Sequence, residues 1–171
     1  PEVLLPPGAS PHHYALRPSD VRRGGDADLL YWIGPDMESF LPRVLGSRSK
    51  ATVAVQSLPG MKLRHFGEDS HSHEEADHDE HDHDHRPGSL DAHLWLSSVN
   101  ARVIAGKMAA DLAQADPANA ARYQHNLKVF SDRMDALDER IKARVAGIAG
   151  KPYFVFHEAF DYFEAEYGLK H

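Results

Sequence analysis

The hydrophobic positions of the chain form short runs in its first third and helical stripes later. Residues 28–34 (DLLYWIG) and 51–55 (ATVAV) are short, continuous apolar runs, as is typical of strands buried in a parallel sheet. Similar runs cover Val3 to Leu5 and Tyr153 to Phe156. A helix is predicted between the first two strands, from Pro35 through Leu41. Strands that alternate with helices in this way predict an α/β fold with a parallel sheet.

Residues 98–150 have a different period, that of helices. One helix is predicted from about Ser98 to Ala115, and Asp116 then caps a second helix with Pro117 in its first turn. The second helix is predicted to reach Gly150, a length of roughly 50 Å at 1.5 Å per residue. A last helix runs through Glu166. The long helix has one apolar face, formed by Tyr123, Leu127, Phe130, Met134, Leu137, Ile141, Val145 and Ile148.

These elements predict three parts along the chain. Residues 1–115 form an N-terminal α/β lobe, residues 116–150 a long linking helix, and residues 151–171 the beginning of a C-terminal α/β lobe. The chain starts and stops close to predicted elements and does not begin with Met. We therefore expect a piece of a longer protein, which lacks the start of the first lobe and most of the second.

An acidic, histidine-rich segment interrupts the first lobe. Residues 67–86 contain nine acidic residues and one arginine, so this segment accounts for the net charge of −7 and leaves the rest close to neutral. It has no apolar periodicity, and we predict a disordered loop over residues 67–88. The loop is either a solvated spacer or an accessory metal-binding segment, because clustered imidazoles bind metals. Its histidines are His71, His73, His78, His81, His83 and His85.

Composition limits the chemistry that the rest of the chain offers. The chain has no cysteine, so any metal must be held by imidazoles and carboxylates. No basic patch with interleaved aromatic residues is present, which argues against nucleic-acid binding. No apolar run approaches the ~18 residues of a membrane-spanning helix, so we expect no membrane insertion.

Seven histidines lie outside the acidic segment, and some of them follow predicted strands. These are His12 or His13 in the loop after the first apolar run, His93 where the acidic segment ends, and His157 directly after YFVF. Ligands of open parallel sheets bind at the carboxyl ends of strands, so three such imidazoles can converge on one zinc ion. Each of them taken alone is more often a hydrogen-bonded structural histidine.

Four motifs carry a resemblance to a known family. The stretches GASPHHYALRPSD, DADLLYWIGPDMESF, DAHLWLS and KPYFVFHEAFDYF resemble the zinc-binding component of a bacterial ABC importer, the ZnuA type of solute-binding protein. The resemblance covers nearly the whole chain, in the order that the family has. It implies two α/β lobes bridged by one rigid helix, with the metal bound between the lobes. An acidic, histidine-rich loop before HLWLS is typical of the zinc members.

The resemblance also implies the ligands, the cargo and the partner. His12, His93 and His157 match the family's metal ligands, and a histidine at the third position favours Zn²⁺ over manganese. Pro11 stands where some zinc members have Glu, so the fourth ligand is either water or an Asp beyond residue 171. The implied function is high-affinity zinc capture in the periplasm by a monomer that delivers the ion to an ABC permease, with no enzymatic activity.

Two alternatives remain open from the sequence. A pure metal buffer binds zinc only through the histidine-rich loop. A zinc hydrolase uses three histidines and an open coordination position, with Glu158 beside His157 as a candidate base. Adjacent side chains rarely point at the same atom, and the chain contains no HExxH, P-loop or GxSxG motif.

Overall fold

The computed structural model describes residues 1–67 and 86–171 and divides into two compact units. Unit 1 comprises residues 1–56 and 63–92, and unit 2 comprises residues 57–62 and 93–171. The six histidines between residues 71 and 85, and the disorder predicted there, lie outside the described residues. The division of the chain predicted at residues 115 and 150 stays a prediction.

Unit 1 contains the parallel strand pair that the apolar runs predict. Helix α1 (Pro18–Asp26) precedes strand β1 (Leu29–Trp32), and the short helix α2 (Pro42–Leu45) leads to strand β2 (Ala51–Ala54). The two strands are parallel, with Leu29 opposite Ala51 at one end and Trp32 opposite Ala54 at the other. Because a parallel pair needs a crossover connection, the α/β class predicted from the alternation of elements is confirmed.

Two of the predicted elements in unit 1 are wrong. The stretch from Pro35 through Leu41 forms turns rather than a helix, because the carboxylate of Glu38 folds back and accepts hydrogen bonds from the backbone N–H groups of Ile33 (3.1 Å) and Gly34 (3.0 Å). Met37 and Leu41 are buried in this turn, and their spacing of four imitates a helical stripe. The first apolar run is not a strand either, and Val3 is 81% exposed.

A short antiparallel pair lies on both sides of the segment that is not described. Strand β3 (Arg64–His65) pairs with strand β4 (Leu90–Asp91), with Arg64 opposite Asp91. The pairing continues beyond the strands, since the N–H of Phe66 donates to the carbonyl of Ser89 at 2.9 Å. This pair was not predicted, and it brings together the two chain ends that flank the histidine-rich run.

Unit 2 is built on two helices, as the period of 3.6 predicts. Helix α3 (Ser98–Ala115) is followed by a 3₁₀ turn and helix α4 (Ala120–Val145). With 26 residues, α4 is about 39 Å long, shorter than predicted because turns replace the helix after Val145. Arg102 of α3 ties the two helices together through ion pairs with Asp135 (3.0 Å) and Asp138 (2.9 Å) of α4.

The end of unit 2 contains a helix but not the predicted strand. Helix α5 (Asp161–Tyr167) ends at Gly168, whose φ of 69° is the left-handed conformation that favours glycine after a helix. Residues 153–156 are not a strand, because no described residue pairs with them. The side chains of Phe154 and Phe156 are fully exposed, and Tyr153 and Val155, which alternate with them, are half-buried. Across the described residues, no helix combines the length and apolarity needed to cross a membrane.

Candidate metal centre

His93 is held in unit 2 by the start of a tight turn. It precedes the 3₁₀ turn Leu94–Leu96, and the N–H of Leu96 donates to the carbonyl of His93 at 3.3 Å. The side chain of Leu94 is fully buried and anchors the turn, and His93 itself is 4% exposed. Such a turn fixes the direction of the imidazole that precedes it.

A buried amide holds the backbone around this turn. Asn100, in the first turn of α3, is 0% exposed. Its Nδ2 donates to the carbonyls of Leu94 (3.0 Å) and Lys62 (2.8 Å), and its Oδ1 accepts from the N–H of Lys62 (2.8 Å). The backbone N–H of Asn100 in turn donates to Oγ of Ser97 (3.1 Å), the N-cap of α3. A fully hydrogen-bonded buried amide makes its surroundings rigid, so the His93 turn has little freedom to move.

His157 is positioned by its connection to α5. It lies in a bend between residues 153–156 and α5. The carboxylate of Glu166 in α5 accepts hydrogen bonds from the hydroxyl of Ser97 and from the N–H of Ser98 at 2.9 Å. The negative charge of this carboxylate is also attracted by the positive, N-terminal end of the α3 dipole. Because Ser97 and Ser98 follow the His93 turn, this contact places α5 and the bend before it next to that turn.

The rings of the two histidines meet at their Nε2 atoms. The Nε2 of His157 lies 3.2 Å from the Nε2 of His93. The ring planes are almost perpendicular, at 84°, with centroids 5.1 Å apart. The indole of Trp95 flanks His93 with its ring centroid 5.6 Å away. The pair therefore joins a buried imidazole to a half-buried one beside an aromatic ring.

The distance between the Nε2 atoms of His93 and His157 suits two ligands of one metal ion. Two nitrogens bound to one tetrahedral zinc at 2.0–2.1 Å lie about 3.3–3.4 Å apart, close to the 3.2 Å between the two Nε2 atoms. With no ion between them, the same distance suits an N–H···N hydrogen bond between two neutral rings. A divalent cation can therefore take the place of this hydrogen bond with little movement of either ring, once the proton of the donor ring has moved from Nε2 to Nδ1.

His12 belongs to unit 1. It is half-buried, whereas His13 is exposed. The backbone N–H of His12 donates to Oγ of Ser10 at 3.2 Å, and Ser10 forms an isolated antiparallel bridge with His13. These contacts give the loop a fixed local shape.

A buried carboxylate fixes the chain that follows this loop. Asp20 of α1 is 1% exposed, and it accepts hydrogen bonds from the backbone N–H of Arg17 (3.0 Å) and the hydroxyl of Tyr14 (3.3 Å). The side chain and backbone of Arg17, together with Arg23, hold the pKa of Asp20 well below its ordinary value despite burial. The His12 loop is therefore connected to α1 by an ionised carboxylate.

The structure thus brings together two of the predicted ligands, His93 and His157, which are 64 residues apart in the chain. Asn100 and Glu166 were missed as supports of this pair. Ser97, directly before a helical stripe, is the kind of residue that signals an N-cap, but nothing local in the sequence shows that Glu166 reaches the same helix end from 68 residues away.

Comparisons with known proteins agree on one family. The family described as "ZnuA: Zinc-uptake complex component A periplasmic" matches residues 1–171, the whole chain. The chain is 37% identical to the high-affinity zinc uptake system protein ZnuA of Yersinia pestis, over 98% of the chain and 56% of that protein. It is 38% identical to the protein of the same name from Paracoccus denitrificans, over 99% of the chain and 58% of that protein.

The fold comparison agrees with the sequence comparison. The Zn(II)-bound AdcA of Streptococcus pneumoniae superimposes on the chain with a TM-score of 0.75 at 23% identity, over 99% of the chain and 33% of AdcA. At this level of identity the likeness shows the fold alone. The chain spans somewhat more than half the length of the two curated relatives.

Proposed function

We propose that the chain, which belongs to the ZnuA family of periplasmic zinc-uptake components, is a zinc-binding part of a receptor that captures Zn²⁺ for import. The observation that carries the proposal is the 3.2 Å separation between the Nε2 atoms of His93 and His157. Two convergent imidazoles in a cysteine-free chain suit zinc, which binds nitrogen and oxygen ligands in tetrahedral geometry. The relatives from Yersinia pestis and Paracoccus denitrificans, named as high-affinity zinc uptake proteins, support the same ion.

His12 is the third ligand in this proposal. The support comes from the sequence, because His12 follows Pro11 in the motif that resembles the family's first ligand motif, and from the imidazole that it offers. Three imidazoles leave one position of a tetrahedral ion for water or for an oxygen ligand. The residues from His71 to His85 are proposed as an accessory loop that binds zinc weakly and raises its local concentration.

The proposed role is capture and delivery rather than catalysis. The partner is the membrane permease of an ABC importer, the compartment is the periplasm and the receptor is a monomer. A receptor needs its ligands held before the ion arrives, and the contacts of Asn100 and Glu166 supply this for the His93–His157 pair. Turnover of an activated ester by the zinc-loaded chain, lost on His157→Gln, would replace this role with that of a hydrolase.

A chelator-competition titration of the full chain with zinc tests the proposal. We expect one tight site that His157→Gln weakens by at least about 100-fold, since residues that merely orient a metal ligand already contribute 10- to 100-fold. His125→Gln is the matched control, because His125 is exposed on α4, and it should leave the tight site unchanged. Equal affinity for the wild type and His157→Gln would contradict the proposal and leave a metal buffer that uses only the histidine-rich run.

A further inference from the structure

A second group of metal-binding side chains lies in unit 2. Glu158, Asp161 and His171 each offer one donor atom, and these three atoms lie within 4.8 Å of one another. Ligand atoms around a tetrahedral zinc ion lie about 3–3.5 Å apart, so a modest movement of the two carboxylate side chains towards His171 brings the three atoms to binding distance. None of the three is a ligand of the proposed receptor site.

The fold of the chain after His157 explains why these residues meet. Glu158 and Asp161 are three residues apart, just before and at the start of α5. Gly168, with φ of 69°, then ends α5, and the N–H of Leu169 donates to the carbonyl of Glu164 at 2.9 Å. This C-terminal turn reverses the chain, so that His171 returns to the side of α5 where the two carboxylates lie.

A buried carboxylate orients the imidazole. Glu164 is 5% exposed, and its Oε1 lies 2.7 Å from Nδ1 of His171 while its Oε2 accepts from the backbone N–H of the same residue at 2.9 Å. Histidines that bind metals usually donate their second ring N–H to a carboxylate in this way, which fixes the tautomer and the ring orientation. Nδ1–H directed at Glu164 places the lone pair of the neutral ring on Nε2.

The same carboxylate is fixed from its other side. Burial raises the pKa of Tyr153 to about 12, and the hydrogen bond between this phenol and Glu164 contributes to the shift. The ring of Tyr153 lies 6.3 Å from that of His171 between centroids. Glu164 thus joins a phenol and an imidazole, and the imidazole is held in place before any ion binds.

We propose that Glu158, Asp161 and His171 form a second divalent-cation site, suited to zinc and separate from the His93–His157 pair. Two carboxylates balance the charge of the ion, and one imidazole gives the nitrogen ligand that favours zinc over magnesium or calcium. Glu158 and His171 are exposed, so water completes the coordination and the site is weaker than a buried one. Glu164 acts as the residue that positions His171.

Ring-nitrogen NMR of the ¹⁵N-labelled full chain during a zinc titration tests this site. We expect the Nε2 signal of His171 to shift as zinc is added beyond the first equivalent. Glu158→Gln and Asp161→Asn should each raise the zinc concentration at half-change by at least about tenfold. Glu164→Gln should raise it about 10- to 100-fold, the range for a residue that orients a ligand. Glu158 is exposed, so its replacement does not endanger folding.

The matched control is Asp132→Asn, which removes an exposed carboxylate of α4 and should leave the His171 titration unchanged. The proposal is overturned if the His171 signal does not move at millimolar zinc, or if it moves equally in the wild type and in the Glu158→Gln, Asp161→Asn double variant. The Nε2 signals of His93 and His157 report on the receptor site in the same spectra. The failure of one proposal is therefore distinguishable from the failure of the other.

Discussion

Replacing Glu166 by alanine should destabilise unit 2 more than any ordinary surface substitution. The carboxylate accepts hydrogen bonds from the hydroxyl of Ser97 and from the N–H groups of Ser98 at 2.9 Å and Val99 at 3.4 Å. These N–H groups belong to the first turn of α3, which has no intrahelical partners for them. Glu166→Ala thus removes the hydrogen bond that the N–H of Ser98 donates. Ser97 still caps α3, because its Oγ continues to accept from the N–H of Asn100.

The magnitude follows from these contacts. A hydrogen bond to a charged group contributes about 1.5–3 kcal/mol, and a charge at a helix N-terminus adds about 0.3–1 kcal/mol. Water replaces part of the lost contact because Glu166 is half-buried, which leaves a net loss of about 2 kcal/mol. At a urea m-value of about 2 kcal/mol/M for a chain of this size, the unfolding midpoint should fall by about 1 M.

Urea unfolding followed by far-UV circular dichroism measures this loss, because α3 and α4 are the two longest helices described. Glu166→Gln keeps one acceptor oxygen and should lose about half as much. Glu139→Ala is the control, since the Glu139 side chain is 78% exposed and pairs with Lys142 at 3.5 Å, a contact of at most about 1 kcal/mol. A midpoint for Glu166→Ala no lower than that of Glu139→Ala would refute the reasoning.

Three further predictions concern pH. Arg17 lowers the pKa of Asp20. The ionised carboxylate therefore stabilises the fold above the ordinary carboxylate pKa of about 4, and this contribution disappears as the pH falls through the lower pKa of the folded state. Asp20→Asn should unfold more easily than the wild type at pH 7, and this difference in stability should vanish in acid. Burial raises the pKa of Tyr153 and of Tyr167 to about 12. Stability should therefore fall between pH values of about 10 and 12, where these two tyrosines ionise only in the unfolded chain. Absorbance at 295 nm should show one late-titrating tyrosine fewer in Tyr167→Phe than in the wild type. Zinc affinity in a competition assay should fall as the pH is lowered, because protons compete with zinc for the ligand nitrogens, and an affinity unchanged down to pH 5 would contradict histidine ligands.

The parts of the fold that the sequence predicts are those with local causes. Helix α3 and most of α4 follow from a period of 3.6 and from caps within a few residues, and β1 with β2 follows from two apolar runs. The stretch from Tyr153 to Phe156 has the composition of a strand, but a strand exists only where a neighbour supplies hydrogen bonds, and no described residue does so. The turn at Glu38 was missed because the carboxylate bonds to the backbone before it, which an apolar pattern does not show.

For the candidate site, the sequence predicts which residues are ligands but not the contacts that hold them together. Their positions near the ends of predicted apolar runs marked His12 or His13, His93 and His157 as candidate ligands, and the resemblance to the zinc receptors selected His12 over His13. The 3.2 Å contact between His93 and His157 depends on Asn100 and Glu166, whose partners lie up to 68 residues away in the chain. Such contacts carry no periodic signal, so only the folded chain reveals them.

The most direct test of the central claim, that His93 and His157 bind one ion through their Nε2 atoms, is cadmium NMR. Zinc is replaced by one equivalent of ¹¹³Cd²⁺ in the full chain carrying ¹⁵N-labelled histidine. We predict one cadmium resonance with scalar couplings to the Nε2 nuclei of both His93 and His157. A cadmium resonance coupled only to histidines between residues 71 and 85, or to just one ring of the pair, would contradict the claim.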